Sequence, residues 1–176
     1  MRKQKCSAAG KLKCNIDAAF SEDSNRVGFA LLEKAKLVRE ISDGKNEIPH
    51  KFLGRKIYVG LCIRDAAGNF RKAKMMWSNP ICKPEIGEVL GLLYAIQWVH
   101  ELQLTNVDFE MDAKLVVDYF TKGNNNVSEN FKMEFSWRQA NEVAHTLARE
   151  ALFLPSSQVF NDVPLSILTL INNEKL

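Results

Sequence analysis

GEVLGLLYAIQWVHELQLTNVDFEMDAKLVVDYF (87–120) changes its apolar period twice. Val89, Leu92, Leu93, Ile96 and Val99 recur at helical spacing as one apolar stripe, which predicts a helix over about 85–102. Pro84 sits where a helix start tolerates it. VDFEM (107–111) then alternates with period two, as a half-buried strand does, and Asp112 follows its last residue. From Ala113 to Phe120 helical spacing returns, with Leu115, Val116, Tyr119 and Phe120 apolar. Helix, strand and helix in succession point to an α/β domain rather than a bundle or a sandwich.

The same reading extends outward. Leu12, Cys14 and Ile16 alternate with Lys13, Asn15 and Asp17, which predicts a short first strand with one buried face. IYVGLCIR (57–64) and the run from Phe70 to Trp77 flank the turn signal DAAGN (65–69) and predict a β-hairpin. FKMEF (131–135) alternates as another strand, and ANEVAHTLAREALF (140–153) has strong helical periodicity. Residues 31–41 place Leu31, Ala35, Val38 and Ile41 at helical spacing, as a short amphipathic helix does. Residues 42–56 are turn-rich and charged. Val163, Ile167, Leu168 and Ile171 suggest a last short helix. The organisation expected is a basic arm (1–10), one domain (11–154) with a segment of about 30–58 inserted, and a C-terminal tail (155–176).

Composition excludes several classes. The chain has 176 residues, 46% hydrophobic and 26% charged, the balance of a globular domain and not of a disordered or collagen-like chain. That length buries a core without disulfide staples. The apolar stretch Val89–Val99 is too short to cross a bilayer, and MRKQKCSAAG (1–10) has no apolar segment after its basic start, so no secretory signal and no membrane partner are expected. Cys6, Cys14, Cys62 and Cys82 include no CxxC pair, which argues for reduced, mostly buried thiols of an intracellular protein. The choice between nucleus and cytoplasm stays open. Net charge is +3, but residues 1–76 hold 17 Lys or Arg against 8 acids and residues 77–176 hold 7 against 13. Such asymmetry suits a basic surface that grips a polyanion, and equally a solvated basic face.

Three acids sit where chemistry uses them. Asp17 ends the polar side of the first strand, Glu88 lies in the first turns of the long helix, and Asp112 follows a strand. If the first and fourth strands are neighbours, Asp17 and Asp112 meet at one end, and a helix packed over that end adds Glu88. Clustered carboxylates raise one another's pKa unless a cation intervenes. Mg²⁺, or Mn²⁺, is the natural tenant of such a hard oxygen site, and two such ions flank a phosphodiester in hydrolysis. Simpler roles stand beside this one. The helix dipole accounts for Glu85 and Glu88, an N-cap accounts for Asp112, and Asp17 starts a loop.

KCNIDAAF (13–20), GLCIRDAAGNF (60–70), GEVLGLLYAIQWV (87–99), VDFEMDAKLVVDYF (107–120) and RQANEVAHTLAREAL (138–152) resemble, in that order, the ribonuclease H-like domain of plants, the reverse transcriptase-like family related to the tail of non-LTR retroelement polyproteins. The resemblance implies a five-stranded mixed sheet flanked by helices and metal-dependent cutting of RNA in RNA–DNA hybrids. It assigns the catalytic and metal-binding acids to Asp17, Glu88 and Asp112. It places His145 where ribonucleases H carry a fourth acid and where plant members often carry His. A neutral imidazole there holds or shuttles a proton near the attacking water; the alternative is a helix-surface histidine. Two departures stand out. About 28 extra residues separate VGFA (27–30) from VGLCIRD (59–65), an insertion that loop-closure entropy tolerates. A helix that the family places between Phe120 and Phe131 is missing.

Three functions compete. In the first, the chain is a ribonuclease H-type endonuclease whose hairpin residues Arg64, Arg71, Lys72 and Lys74 contact phosphates of a nucleic acid, an RNA–DNA hybrid, with Trp77 or Trp137 lining the groove or packed in the core. In the second it is a catalytically impaired, nucleic-acid-binding remnant. In the third it is a protein-interaction module, with the 31–41 stretch as the docking element and no protein partner identifiable.

Overall fold

The computed structural model describes residues 10–20, 57–78, 84–122 and 131–173. Three strands come first: β1 (Leu12–Phe20), β2 (Ile57–Asp65) and β3 (Phe70–Ser78). Then follow α1 (Pro84–Glu101), β4 (Val107–Met111), α2 (Lys114–Lys122), β5 (Phe131–Phe135), α3 (Glu142–Glu150), β6 (Gln158–Phe160) and α4 (Leu165–Asn173). They form one six-stranded mixed sheet in the order β5-β4-β1-β2-β3-β6. β1 runs antiparallel to β2 and parallel to β4.

Each face of the sheet has its own core, because strand side chains alternate between faces. Ile16, Val59, Leu61, Phe109 and Met111 meet Leu92, Leu93 and Trp98 of α1 and Val116 of α2 on one face. On the other, Cys62, Ala73 and Met75 meet Val143 and Leu147 of α3 and Ile167 and Ile171 of α4. α1 is buried beyond the expected stripe, with Leu90 and Tyr94 also covered, and Ile96 is only half-buried. α2 and the sheet enclose it from two sides.

Four expectations need amendment. The sheet has six strands rather than five, because Gln158–Phe160 pairs with Ala73–Met75 along the hairpin's outer edge. Three residues are too few to display an alternating pattern, so nothing in the sequence announces this strand. Ile167 and Ile171 are fully buried, so the segment read as a tail from residue 155 packs on the domain. β1 has two buried faces, not one: Lys13, Asn15 and Asp17 are covered as thoroughly as Cys14 and Ile16. Finally, the helix read over 140–153 is α-helical only from Glu142 to Glu150, with 3₁₀ turns at Arg138–Ala140 and Ala151–Phe153. The basic arm through residue 9, the amphipathic stretch 31–41 with nearly all of the insertion, and the link 123–130, where the resemblance leads one to expect a further helix, lie outside the described residues. So do Cys6 and Cys82, while Cys14 and Cys62 are free buried thiols. Among the described residues no helix is long and apolar enough to cross a membrane.

A missing side chain sets the height of α3 above the sheet. Gly60 pairs with Asp17 in register. A Cβ on Gly60 would lie 2.2 Å from the Ala144 carbonyl oxygen and 2.4 Å from the Ala148 amide nitrogen. Both are backbone atoms of α3, so relief requires the helix to move. Gly60→Ala is expected to destabilise the fold by about 1–3 kcal/mol, the usual cost of overpacking. Urea unfolding measures this, and an unchanged midpoint would contradict the close approach of α3.

Candidate metal centre

The parallel pairing of β1 and β4 builds the site. Ile16 and Met111 form the last pair of that ladder, so Asp17 and the residue after the strand, Asp112, emerge together at one end. α1 lies across β1, its Gly91 close enough that an added Cβ would stand 3.4 Å from Ile16 Cγ2. One turn earlier, the same helix brings in Glu88. One carboxylate oxygen each from Asp17, Glu88 and Asp112 lies within 4.8 Å of the others.

The cluster is electrostatically uncomfortable. Burial raises the Glu88 carboxyl to about 9, and the neighbouring Asp17 and Asp112 add to the rise. Burial likewise raises Asp17 to about 6, opposed by a hydrogen bond from His145 and reinforced by Asp112. Glu88 Oε2 is buried and finds no hydrogen-bond partner among the described residues. A buried acceptor left unsatisfied is costly. Three convergent hard oxygens, one without a partner, fit a small divalent cation, which would satisfy the orphan oxygen and cancel the repulsion.

His145 stands over Asp17, with Nδ1 2.8 Å from Asp17 Oδ2. An ionised carboxylate only accepts, so Nδ1 is the donor to Asp17. Arg138 Nη2 lies over the imidazole, 3.1 Å from Nε2 and 3.4 Å from Nδ1. The sequence reading passed over Arg138, an exposed residue in an irregular segment whose only signal is its place seven residues before His145. It also passed over Asn141. This buried amide donates to the Ile16 carbonyl at 2.8 Å and lies 3.3 Å from Asn15 Nδ2. The Asn141 carbonyl in turn accepts the His145 amide at 3.1 Å. Asn141 therefore fastens the start of α3 to β1, one residue from Asp17.

The four basic residues expected at phosphates sit elsewhere. Arg64 is 1% exposed and donates to Asn15 Oδ1 at 2.7 Å, so its guanidinium is committed to the interior. It pairs with Lys13, four positions and about 13 Å along the strand from Asp17. Arg71 pairs with Asp65 at the hairpin turn, at 3.2 Å. Lys72 donates to Asn161. Lys74 lies on the α1 face, 5.7 Å above the Trp98 ring and 3.9 Å from Glu101. None of the four joins the carboxylate cluster. Of the two tryptophans considered for the groove, Trp77 is half-buried and packs against the α3 core, whereas Trp137 is 58% exposed beside Arg138.

The crystal structure of RNase H1 from the halophilic archaeon Halobacterium salinarum NRC-1 is similar, with a TM-score of 0.56 over 82% of this chain and 98% of that one, at 14% identity. The family model for reverse transcriptase-like domains matches residues 55–129. No curated protein matches the chain in sequence. The chain therefore has the fold of a ribonuclease H, and its middle part, residues 55–129, is similar to reverse transcriptase-like domains.

Both raised carboxyls make stability depend on pH in one direction. Between their ordinary values near 4 and their folded values of about 6 and 9, the folded state binds more protons than the unfolded chain. Stability attributable to them therefore falls as pH rises through that window. The metal-free protein is expected to melt at progressively lower temperature from pH 5 to pH 9. Glu88→Gln should flatten that slope and stabilise the metal-free protein by about 2 kcal/mol at pH 8. Added Mg²⁺ should raise the wild-type melting temperature far more at pH 8 than at pH 5. Scanning calorimetry across pH decides it; a melting temperature that climbs with pH without metal would show that the acids do not crowd.

Proposed function

We propose that the chain is a ribonuclease H-type endonuclease that hydrolyses the RNA strand of an RNA–DNA hybrid at a centre held by Asp17, Glu88 and Asp112. The observation that carries this reading is the convergence of three carboxylates within 4.8 Å, one of them with a buried, partnerless oxygen. Mg²⁺ or Mn²⁺ bound by these residues supplies Lewis-acid polarisation of a phosphodiester and a water of lowered pKa.

The remaining roles belong to the protein. His145, oriented by its Nδ1 hydrogen bond to Asp17 and lining the groove, has Nε2 with which to accept a proton there. The Arg138 guanidinium, exposed and next to the acids, suits an incoming phosphate, to which it offers two donors in a plane. Asn141, bonded to the Ile16 carbonyl, keeps the imidazole in position along β1 beside Asp17. Phosphate binding of this kind weakens with salt.

A second reading, a nucleic-acid-binding remnant without turnover, draws on one observation. His145 brings no negative charge to the position where ribonucleases H place a fourth acid, and it occupies Asp17 Oδ2. Titration of Mg²⁺ against a labelled RNA–DNA hybrid separates the two. The nuclease reading expects metal-dependent cleavage that falls at least about 100-fold in Asp112→Asn, as loss of a ligand implies. Cleavage equal in wild type and Asp112→Asn would remove this site assignment. Tight, salt-sensitive binding without cleavage would leave the remnant.

A further inference from the structure

Beside the carboxylates runs a groove of about 350 Å³ lined by Trp137, Arg138, Gln139, Glu142 and His145. His145 belongs to both places, so a ligand whose phosphate rests at the acids has its next group in this groove. Trp137 is 58% exposed, unusual for the largest apolar side chain. It is nonetheless held firmly. Its ring meets Phe135 edge to face, with centroids 5.3 Å apart and planes at 75°. Its carbonyl accepts the amides of Ala140 at 2.7 Å and Asn141 at 3.1 Å. A rigid exposed indole beside a guanidinium is the combination that binds nucleotides without regard to base, aromatic face against sugar or base and cation against phosphate.

The charges set the orientation. Arg138 lies at the end nearest His145 and attracts the phosphate. Glu142, exposed at the same groove, repels a second phosphate and favours an uncharged group there.

We infer that this groove is a subsite for the nucleoside adjoining the phosphate at the acids, and that Trp137 packs against that nucleoside. The inference rests on the proposed nucleic-acid substrate, but on binding rather than cleavage. Trp137 is thus a substrate-binding residue with no part in proton transfer.

The test uses the full chain and a short RNA–DNA hybrid, with affinity and tryptophan emission read in EDTA and cleavage read separately in Mg²⁺. Trp137→Ala should weaken binding roughly five- to thirty-fold, the range for an anchoring tryptophan. Trp137→Phe, which keeps an aromatic face, should stay within about three-fold of wild type. Subtracting the Trp137→Phe spectrum isolates Trp137, whose emission should shift to shorter wavelength when the hybrid saturates. Binding with these effects but no cleavage supports the subsite while removing the nuclease reading. Cleavage by wild type, with Trp137→Ala binding as tightly and Trp137 emission unmoved, overturns the subsite alone. Equal losses in Phe and Ala variants, with a lowered melting temperature in both, make Trp137 a purely structural residue and also overturn it. A wild type that binds no hybrid overturns both.

Discussion

Parallel strands cannot be joined by a tight turn, and the long crossover they need is what brings distant parts of a chain to one edge. Here β1 and β4 pair in parallel from Leu12 and Val107 to Ile16 and Met111. The crossover between them includes the hairpin and α1. Because the ladder ends at the same level on both strands, the next residue on β1, which runs on to Phe20, and the next after β4 are both aspartates that converge, and the crossover helix supplies Glu88. The core fixes this arrangement against repulsion. Ile16 and Met111 are fully buried immediately before the two acids, and Leu92 and Leu93 are fully buried one turn after Glu88. Burial and crowding raise two of the three carboxyls, an unfavourable feature that a bound cation would relieve.

Beneath α3 lies a second polar system that keeps the first in order. Lys13 pairs with Glu110, Glu110 accepts from Asn15 at 3.1 Å, Asn15 accepts from Arg64, and the amides of Asn15 and Asn141 lie against each other. All five side chains belong to buried residues. Buried charges persist where they are paired and hydrogen-bonded, and a connected network admits few alternative registers. This network ends on Asn141, and through Asn141 on the helix that presents His145. Gly60 sets the height of α3 and Asn141 its position along β1, so the imidazole meets Asp17 by steric and polar constraint together.

The elements were legible in proportion to their length and periodicity. Val107–Met111 alternates cleanly, and α1 shows its stripe over about three turns, from Val89 to Val99. The hairpin is written in β-formers around DAAGN. β6 was hidden because three residues have no period, and the 3₁₀ turn after α3 was hidden because its residues continue the helical pattern. For the site, Asp17, Glu88 and Asp112 were singled out by strand-end and helix-start positions, and the structure brings them together. Arg64 misled because an arginine in a strand reads as a surface charge unless its partner is known, and Asn15 lies 49 residues away. Arg138 and Trp137 sit in an irregular segment where no periodicity marks a residue as pointing anywhere.

By itself the sequence determined which segments become strands and helices, since backbone geometry converts a local apolar period directly into one or the other. It also singled out Asp17, Glu88 and Asp112, although Asp17 stands inside β1 and not at its end. Only the tertiary structure decided that β1 has two buried faces, that the hairpin's arginine is an interior group, and that an arginine and a tryptophan before α3 line a groove with His145. The reason is range. Periodicity is a property of neighbours in the chain, whereas burial, ion pairing and a shared cavity depend on residues such as Asp17 and His145, 128 positions apart, which only packing brings into contact.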